Sequence, residues 1–400
     1  MIGAMDDDIA RRVYNDPLAR WFVTEAYRIT DTAALIAASG SEIARAGIPL
    51  WRLAYFQFTL HPEVAGKSYT WRLGDQIARV SAAPHGLLEE QRYRDSPLRP
   101  IFEERRTVRV RLERDEPQAP VLRELKGDGA TDYVALPLVF STGHIDALSV
   151  VSNTPGGFSR DDLDRMWLLQ FAFARIVETH SLRDTATYLL DAYVGRAAGE
   201  RILAGDVKRG GGETIEAVIW YCDLRGFTSL SDQLSRDMVI ALLNDYFGAL
   251  GAVVTQAGGE ILKFIGDAML AIFPVARAEE RPEVVMRAAR AAMAARAAID
   301  ELNRQRLARA EPAIRFGLAL HLGEVMFGNI GSGARLDFTV IGPAVNHAAR
   351  LEGLSAAIDR PVLVSSSFAA FLPPRDLTPL GDHALKGIAE PQAVYGLDVA

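Results

Sequence analysis

Glu260-Ile261-Leu262-Lys263-Phe264-Ile265-Gly266-Asp267-Ala268-Met269-Leu270-Ala271-Ile272-Phe273 is the stretch that decides the fold. Two apolar runs of strand length, Glu260 to Ile265 and Ala268 to Phe273, are joined by Gly266-Asp267, a turn in which glycine supplies the positive φ. They read as a hairpin. Upstream, Arg236 to Gln256 reads as a helix and Ile215 to Tyr221 has the composition of a buried strand. Downstream, the Ala- and Arg-rich run Pro282 to Ala308 reads as a long helix. Strands Ile314 to Leu322, Val325 to Asn329 and Phe338 to Ile341 follow it. Strand, helix, strand, strand, helix, strand is the order of a ferredoxin-like βαββαβ sheet with helices on one face, an α+β fold.

Toward the N-terminus, Ser181 to Glu213 is polar and Ala-rich, helical in character until Gly205, and then broken by Gly210-Gly211-Gly212. Residues 181–212 are therefore expected to be a helical linker between a domain at 1–180 and another at 213–400. In the first domain, Pro17 to Ala46 has the spacing of one or two amphipathic helices. Arg52 to Leu60, Ser68 to Leu73 and Gln76 to Ala82 alternate as strands do. Tyr133 to Phe140 and Ile145 to Asn153 flank a turn. After Pro155-Gly156-Gly157, a helix is expected over Asp161 to Glu178 with Ser159 as its N-cap.

Composition bounds the class. Four hundred residues at 49% hydrophobic and 24% charged suit two globular domains and exclude a disordered or fibrous chain. No unbroken apolar run reaches the ~20 residues of a membrane span, so none is expected. Asp6, Asp7 and Asp8 stand where a signal peptide needs basic residues. The single cysteine, Cys222, cannot form a disulfide within the chain, and a cytoplasmic location is expected. Forty-four Lys and Arg against 51 Asp and Glu give a net charge of -7, which argues against general nucleic-acid binding and for a partner held at a local site.

Two carboxylates stand at strand ends: Asp223 where the apolar run Ile215 to Tyr221 stops, and Asp267 in the hairpin turn. If the first strand lies beside the hairpin, they converge and can hold hard divalent cations through oxygen. Taken singly, either Asp reads more readily as a turn residue, given how common such turns are. Leu224-Arg225-Gly226-Phe227-Thr228 then forms a short loop with a glycine and a hydroxyl entering a helix, which can turn backbone N–H groups toward phosphate oxygens. Asn346 and Arg350, four apart in a helical stretch, face the same way, although a plain surface helix would show the same spacing.

Three motifs in order carry a resemblance: Trp220 to Thr228, Leu262 to Ala268, and Phe338-Thr339-Val340-Ile341-Gly342-Pro343-Ala344-Val345-Asn346-His347-Ala348-Ala349-Arg350. Residues 213–400 resemble a class III nucleotidyl cyclase catalytic domain. The resemblance implies that Asp223 and Asp267, with Leu224 beside them, bind two Mg²⁺ or Mn²⁺ ions per active site. It implies that Lys263 and Thr339 read the base and that Gly226, Phe227 and Thr228 approach the phosphates. Asn346 would orient the ribose, Arg350 would stabilise the transition state, and Lys386 would meet the triphosphate. Thr339 departs from the second acidic residue many members have, and Gly342-Pro343 from their Gly-Asp. A threonine hydroxyl can accept from the adenine amino group while Lys263 donates to ring N1, so the pair suits ATP. Pro343 can begin the helix bearing Asn346, where its missing N–H costs little.

The first domain resembles a GAF-type sensory domain in its strand pattern, its Pro-Gly-Gly turn and its closing helix. No cysteine precedes residue 222, which excludes a thioether-linked bilin, and His61, His85 and His144 are scattered rather than clustered. His321, His347 and Cys222 are expected to be packing residues. The expectation is a homodimeric adenylate cyclase making cyclic AMP and pyrophosphate from ATP, controlled by an unknown small-molecule or protein signal at the N-terminal domain. The alternative is an inactive cyclase-like binding module.

Overall fold

The computed structural model describes residues 16–60, 64–86 and 91–398. Asp6 to Asp8 and His61, singled out above, lie outside them. The chain divides into two compact units, Met1–Ala192 and Tyr193–Ala400.

In the first unit, α1 (Pro17–Thr24) and α2 (Thr32–Arg45) are capped by Asp16 and Asp31, whose carboxylates accept from the N–H groups of Leu18 and Ala34. Strands β1 (Arg52–Phe58), β2 (Val64–Arg72) and β3 (Arg79–Pro84) lead to short helices α3 (Gln91–Arg94) and α4 (Arg99–Glu104). After these come β4 (Val108–Val110), α5 (Pro120–Gly127), β5 (Asp132–Val139) and β6 (Ile145–Ser152). The six strands form one antiparallel sheet in the order β3-β2-β1-β6-β5-β4. Ser159 and Asp162 exchange hydrogen bonds at the start of α6 (Arg160–Val194). Met166, Leu169, Phe173 and Val177 of α6 bury against the sheet and the first two helices.

The second unit begins with α7 (Arg196–Leu203), β7 (Gly212–Leu224), α8 (Phe227–Ser231), α9 (Arg236–Gln256), β8 (Glu260–Ile265), β9 (Ala268–Val275) and α10 (Arg281–Ala308). It continues with β10 (Phe316–Gly331), β11 (Leu336–Ile341), α11 (Pro343–Gly353), β12 (Val362–Ser365), α12 (Ser366–Ala369), β13 (Leu377–His383) and β14 (Gln392–Leu397). The sheet runs β13-β14-β12-β10-β7-β9-β8, with β11 paired to β10. Its β10-β7-β9-β8 core has the ferredoxin-like arrangement, and three strands extend it beyond β10. Trp220, Cys222, Tyr246 and Phe273 are wholly buried between the sheet and helices α9 and α10, each large side chain contributing about 2–3 kcal/mol.

Three expectations are corrected. Helices cover both faces, not one: α9 and α10 pack on the side of Val218, Trp220 and Cys222, whereas α7 and α11 pack on the side of Ala217 and Ile219. The runs 314–322 and 325–329 are one strand, because β10 pairs with β7 without interruption from Phe316↔Leu224 to Gly328↔Gly212. The helix expected to stop at Glu178 continues to Val194, held to its unit by contacts the sequence pattern does not show. Thr32 Oγ1 meets His180 Nδ1 at 3.0 Å, and Gln57 Nε2 donates to Asp184 at 3.4 Å. Residues 181–212, expected as a helical linker, hold the end of α6 and all of α7, and Ala198 of α7 is fully buried in the second unit beside Ala217, Ile219 and Leu262.

Among the described residues, α9 alone is long and apolar enough to cross a membrane by length and composition. Its Leu242, Tyr246, Leu250 and Val254 form a single stripe that lies in the core.

Candidate active site

Alternation along β7 sends Cys222 into the core and Asp223 to the opposite face. Burial raises the Cys222 thiol to about 12, which leaves it inert. Because β9 pairs with β7 and begins immediately after the Gly266-Asp267 turn, Asp267 is carried to the end of β7 and comes within hydrogen-bonding reach of Asp223. Gly266 sits at φ 66°, a conformation that a side chain would strain. Burial, and then the charge of Asp267, push Asp223 up to about 7. Tyr221 and Glu352 face the same cluster, and burial raises both above their ordinary values.

The loop after Asp223 is fixed from several sides. The Leu224 N–H donates to Asp223 Oδ1 at 3.0 Å, and the Leu224 side chain is buried, so only its backbone is free to face a ligand. The Arg225 guanidinium donates to the carbonyls of Ser355 and Arg360, both at 2.6 Å, and its N–H donates to Arg315 O. Gly226, at φ 72°, turns the chain into the five-residue α8. Phe227 is half-buried against the core, and Thr228 is exposed.

Lys263 lies on β8, where its ammonium is 3.4 Å from Asp337 Oδ2. Asp337 and Thr339 share a face of β11 by alternation. Thr339 is 4% exposed, and its hydroxyl has no hydrogen-bond partner among the described residues. On α11, Asn346 is exposed and Arg350 half-buried. The loop after β13 brings Gly387 against the Arg350 guanidinium, with exposed Lys386 one residue away.

The structure thus forms three groupings: Asp223 with Asp267; Lys263 with Asp337, two residues before Thr339 on the same strand; and Arg350 with the Lys386 loop. Asp337 and Glu352 were not singled out from the sequence. The i, i+2 spacing of Asp337 and Thr339 was the available signal for the first. His321 and His347 stack with centroids 4.2 Å apart, and burial drives His321 down to about 3, the neighbouring His347 adding to the effect.

The donor set at Asp223 and Asp267 fits a hard divalent cation. Two carboxylates this close repel unless a proton or a cation lies between them. Among the described residues, no group of three or more His, Cys, Asp or Glu is placed to hold a metal. The remaining oxygens would come from the Leu224 carbonyl and from phosphates.

An α+β sheet with paired carboxylates at one strand end defines a domain able to hold a hard cation there. Residues 213–398 match the Adenylate and Guanylate cyclase catalytic domain family, and this part of the chain belongs to it. An adenylate cyclase of Anabaena cylindrica is 30% identical over 236 residues, covering 58% of this chain and 44% of its own. Adenylate cyclase 1 of Rhizobium meliloti is 26% identical, covering 69% of this chain and 42% of its own. The solved adenylyl cyclase CyaB from P. aeruginosa is 26% identical with a TM-score of 0.44, covering 48% of this chain and all of that one. The chain spans less than half the length of the curated relatives it matches.

Proposed function

We propose that the chain is an adenylate cyclase that converts ATP to 3′,5′-cyclic AMP and pyrophosphate. The observation that carries this reading is the Thr339 hydroxyl, buried and without a partner among the described residues, on the strand face shared by Asp337, which pairs with Lys263. Leaving such a group unpaired costs about 1–3 kcal/mol, which an adenine amino group would offset by donating to it. Lys263, steadied by Asp337, donates to ring N1. Asn346 holds the ribose, and Arg350 neutralises charge that develops as the 3′-oxygen bonds to the α-phosphorus and pyrophosphate departs. Lys386 and the N–H groups of Gly226 to Thr228 receive the phosphates. When bound at Asp223 and Asp267, Mg²⁺ or Mn²⁺ supplies charge neutralisation and favours ionisation of the 3′-hydroxyl.

The active species in this reading is a cytoplasmic homodimer with a GAF-like sensor in the first unit. Exposed apolar residues support pairing of two copies. Phe264 and Ile265 are 51% and 47% exposed between Lys263 and Asp267, and Trp167, Phe171, Leu182 and Leu189 are exposed along one side of α6.

The test is turnover of ATP and GTP by the purified full-length protein with each metal, the products being separated. Cyclic AMP is expected to predominate. Lys263→Glu should lower its formation roughly 5- to 150-fold and shift the ATP to GTP ratio, since setting a carboxylate against the ring N1 acceptor costs ~1–3 kcal/mol. An unchanged ratio sinks the base-reading role, and no cyclic nucleotide under any condition favours an inactive binding module.

A further inference from the structure

Helix α11 lies along the face of β10 that carries Gly317, Ala319 and His321. His347 stacks on His321, Leu351 joins Ala319 in one apolar cluster, and Glu352 and Ser355 fill the space that a Cβ at Gly317 would take. Only glycine at 317 lets the end of the helix come this close. Gly317 stands directly opposite Asp223 in the ladder between β10 and β7. Opposed residues of an antiparallel pair leave the sheet on the same side, with Cβ atoms about 5 Å apart. The Glu352 carboxylate is therefore seated beside the root of Asp223, on the face where Asp223 meets Asp267.

Glu352 is only 9% exposed, and among the described residues its carboxylate receives a hydrogen bond only from Ser355 Oγ, at 3.1 Å. A buried carboxylate with one hydroxyl donor destabilises a fold unless positive charge lies nearby. Arg225 reaches it only through space: one guanidinium nitrogen is held by the carbonyls of Ser355 and Arg360, its Nε has no partner among the described residues, and its charge offsets only part of the burial that raises the Glu352 carboxyl. No third ligand position is formed with Asp223 and Asp267 among the described residues, so Glu352 acts through its field.

We propose that Glu352 is a positioning residue of the cation site, a third carboxylate that does not ligate but strengthens divalent-cation binding at Asp223 and Asp267. It also fastens the end of α11, the helix that bears Asn346 and Arg350, beside that site. The inference rests on reading Asp223 and Asp267 as the cation-binding pair.

The experiment titrates the full-length protein with Mn²⁺, without nucleotide, and follows free Mn²⁺ by electron paramagnetic resonance. Glu352→Gln is expected to weaken Mn²⁺ binding about tenfold, the effect of removing one charge at this range. Its melting temperature without metal should stay at or above that of the wild type, and Glu352→Asp should recover most of the affinity. The Mn²⁺ concentration for half-maximal turnover should rise by the same factor. If Glu352→Gln does not fold, Gly317→Ala, which displaces the carboxylate without removing it, should weaken binding at least about threefold. Wild-type affinity in a folded Glu352→Gln or Gly317→Ala protein overturns the proposal, provided that Asp223→Asn loses binding. Unchanged binding in Asp223→Asn as well would show that the reading of the cation pair itself has failed, and the proposal with it.

Discussion

At the scale of single residues, Asp223 sets the electrostatics of the second unit. Its folded pKa, raised to about 7, lies above the unfolded carboxylate value of about 4. The folded chain therefore holds more protons between these values, and this residue's contribution to stability falls as pH rises through that window. Below about pH 4 the carboxyl is protonated in both states and the penalty is absent. Asp223→Asn, in chelator, should then raise the melting temperature by about 3 °C at pH 8 and leave it unchanged at pH 4, the figure being discounted for partial solvent screening. A shift of equal size at both pH values would mean that the carboxylate is not under charge repulsion. Asp223 and Asp267 could be picked out from sequence because each ends a recognisable strand or turn. Glu352 could not, because its closeness to Asp223 depends on α11 crossing β10 at Gly317, some 35 residues before it in the chain.

At the scale of elements, the polar run after Ser181 shows how far a pattern reaches. Its composition suggests a solvated connector, yet α6 uses polar side chains to hold its own unit and α7 inserts a single small residue into the core of the other. Neither tie leaves a hydrophobic period. Ala198→Asp should consequently cost about 2–4 kcal/mol, because it buries a carboxylate among Ala217, Ile219 and Leu262. Thermal unfolding should show the second unit melting earlier with the first unaffected. An unaltered second transition would return α7 to the status of a linker. The continuity of β10 has the same origin. Gly323 reads as a break in one strand considered alone, but pairing with Ala217 of β7 carries the ladder straight through it.

At the scale of the whole molecule, the resemblance to class III cyclases implies a site shared between two copies of the chain, with the aspartates from one and the base-reading and transition-state residues from the other. A protein with Asp223→Ala and Asp267→Ala, and another with Asn346→Ala and Arg350→Ala, should each be inactive. Mixed and allowed to exchange, half the dimers are heterodimers with one intact site of two, so activity should return to about a quarter of wild type. No recovery, with exchange shown independently by differently tagged chains, would mean that each site is complete within one chain.

By itself the sequence determined the elements whose signals are local. The Gly266-Asp267 turn demands a positive φ, the Arg236 to Gln256 helix repeats its apolar stripe every turn, and Asp223 follows an unbroken apolar run. Tertiary structure alone decided which faces of the sheet are covered, where α6 and α7 attach, and that Asp337 and Glu352 stand beside Lys263 and Asp223. The physical reason is range. Turns and periodicity are fixed by neighbours a few residues away, whereas strand register and helix crossing are fixed by side chains that meet only after the chain has folded back on itself.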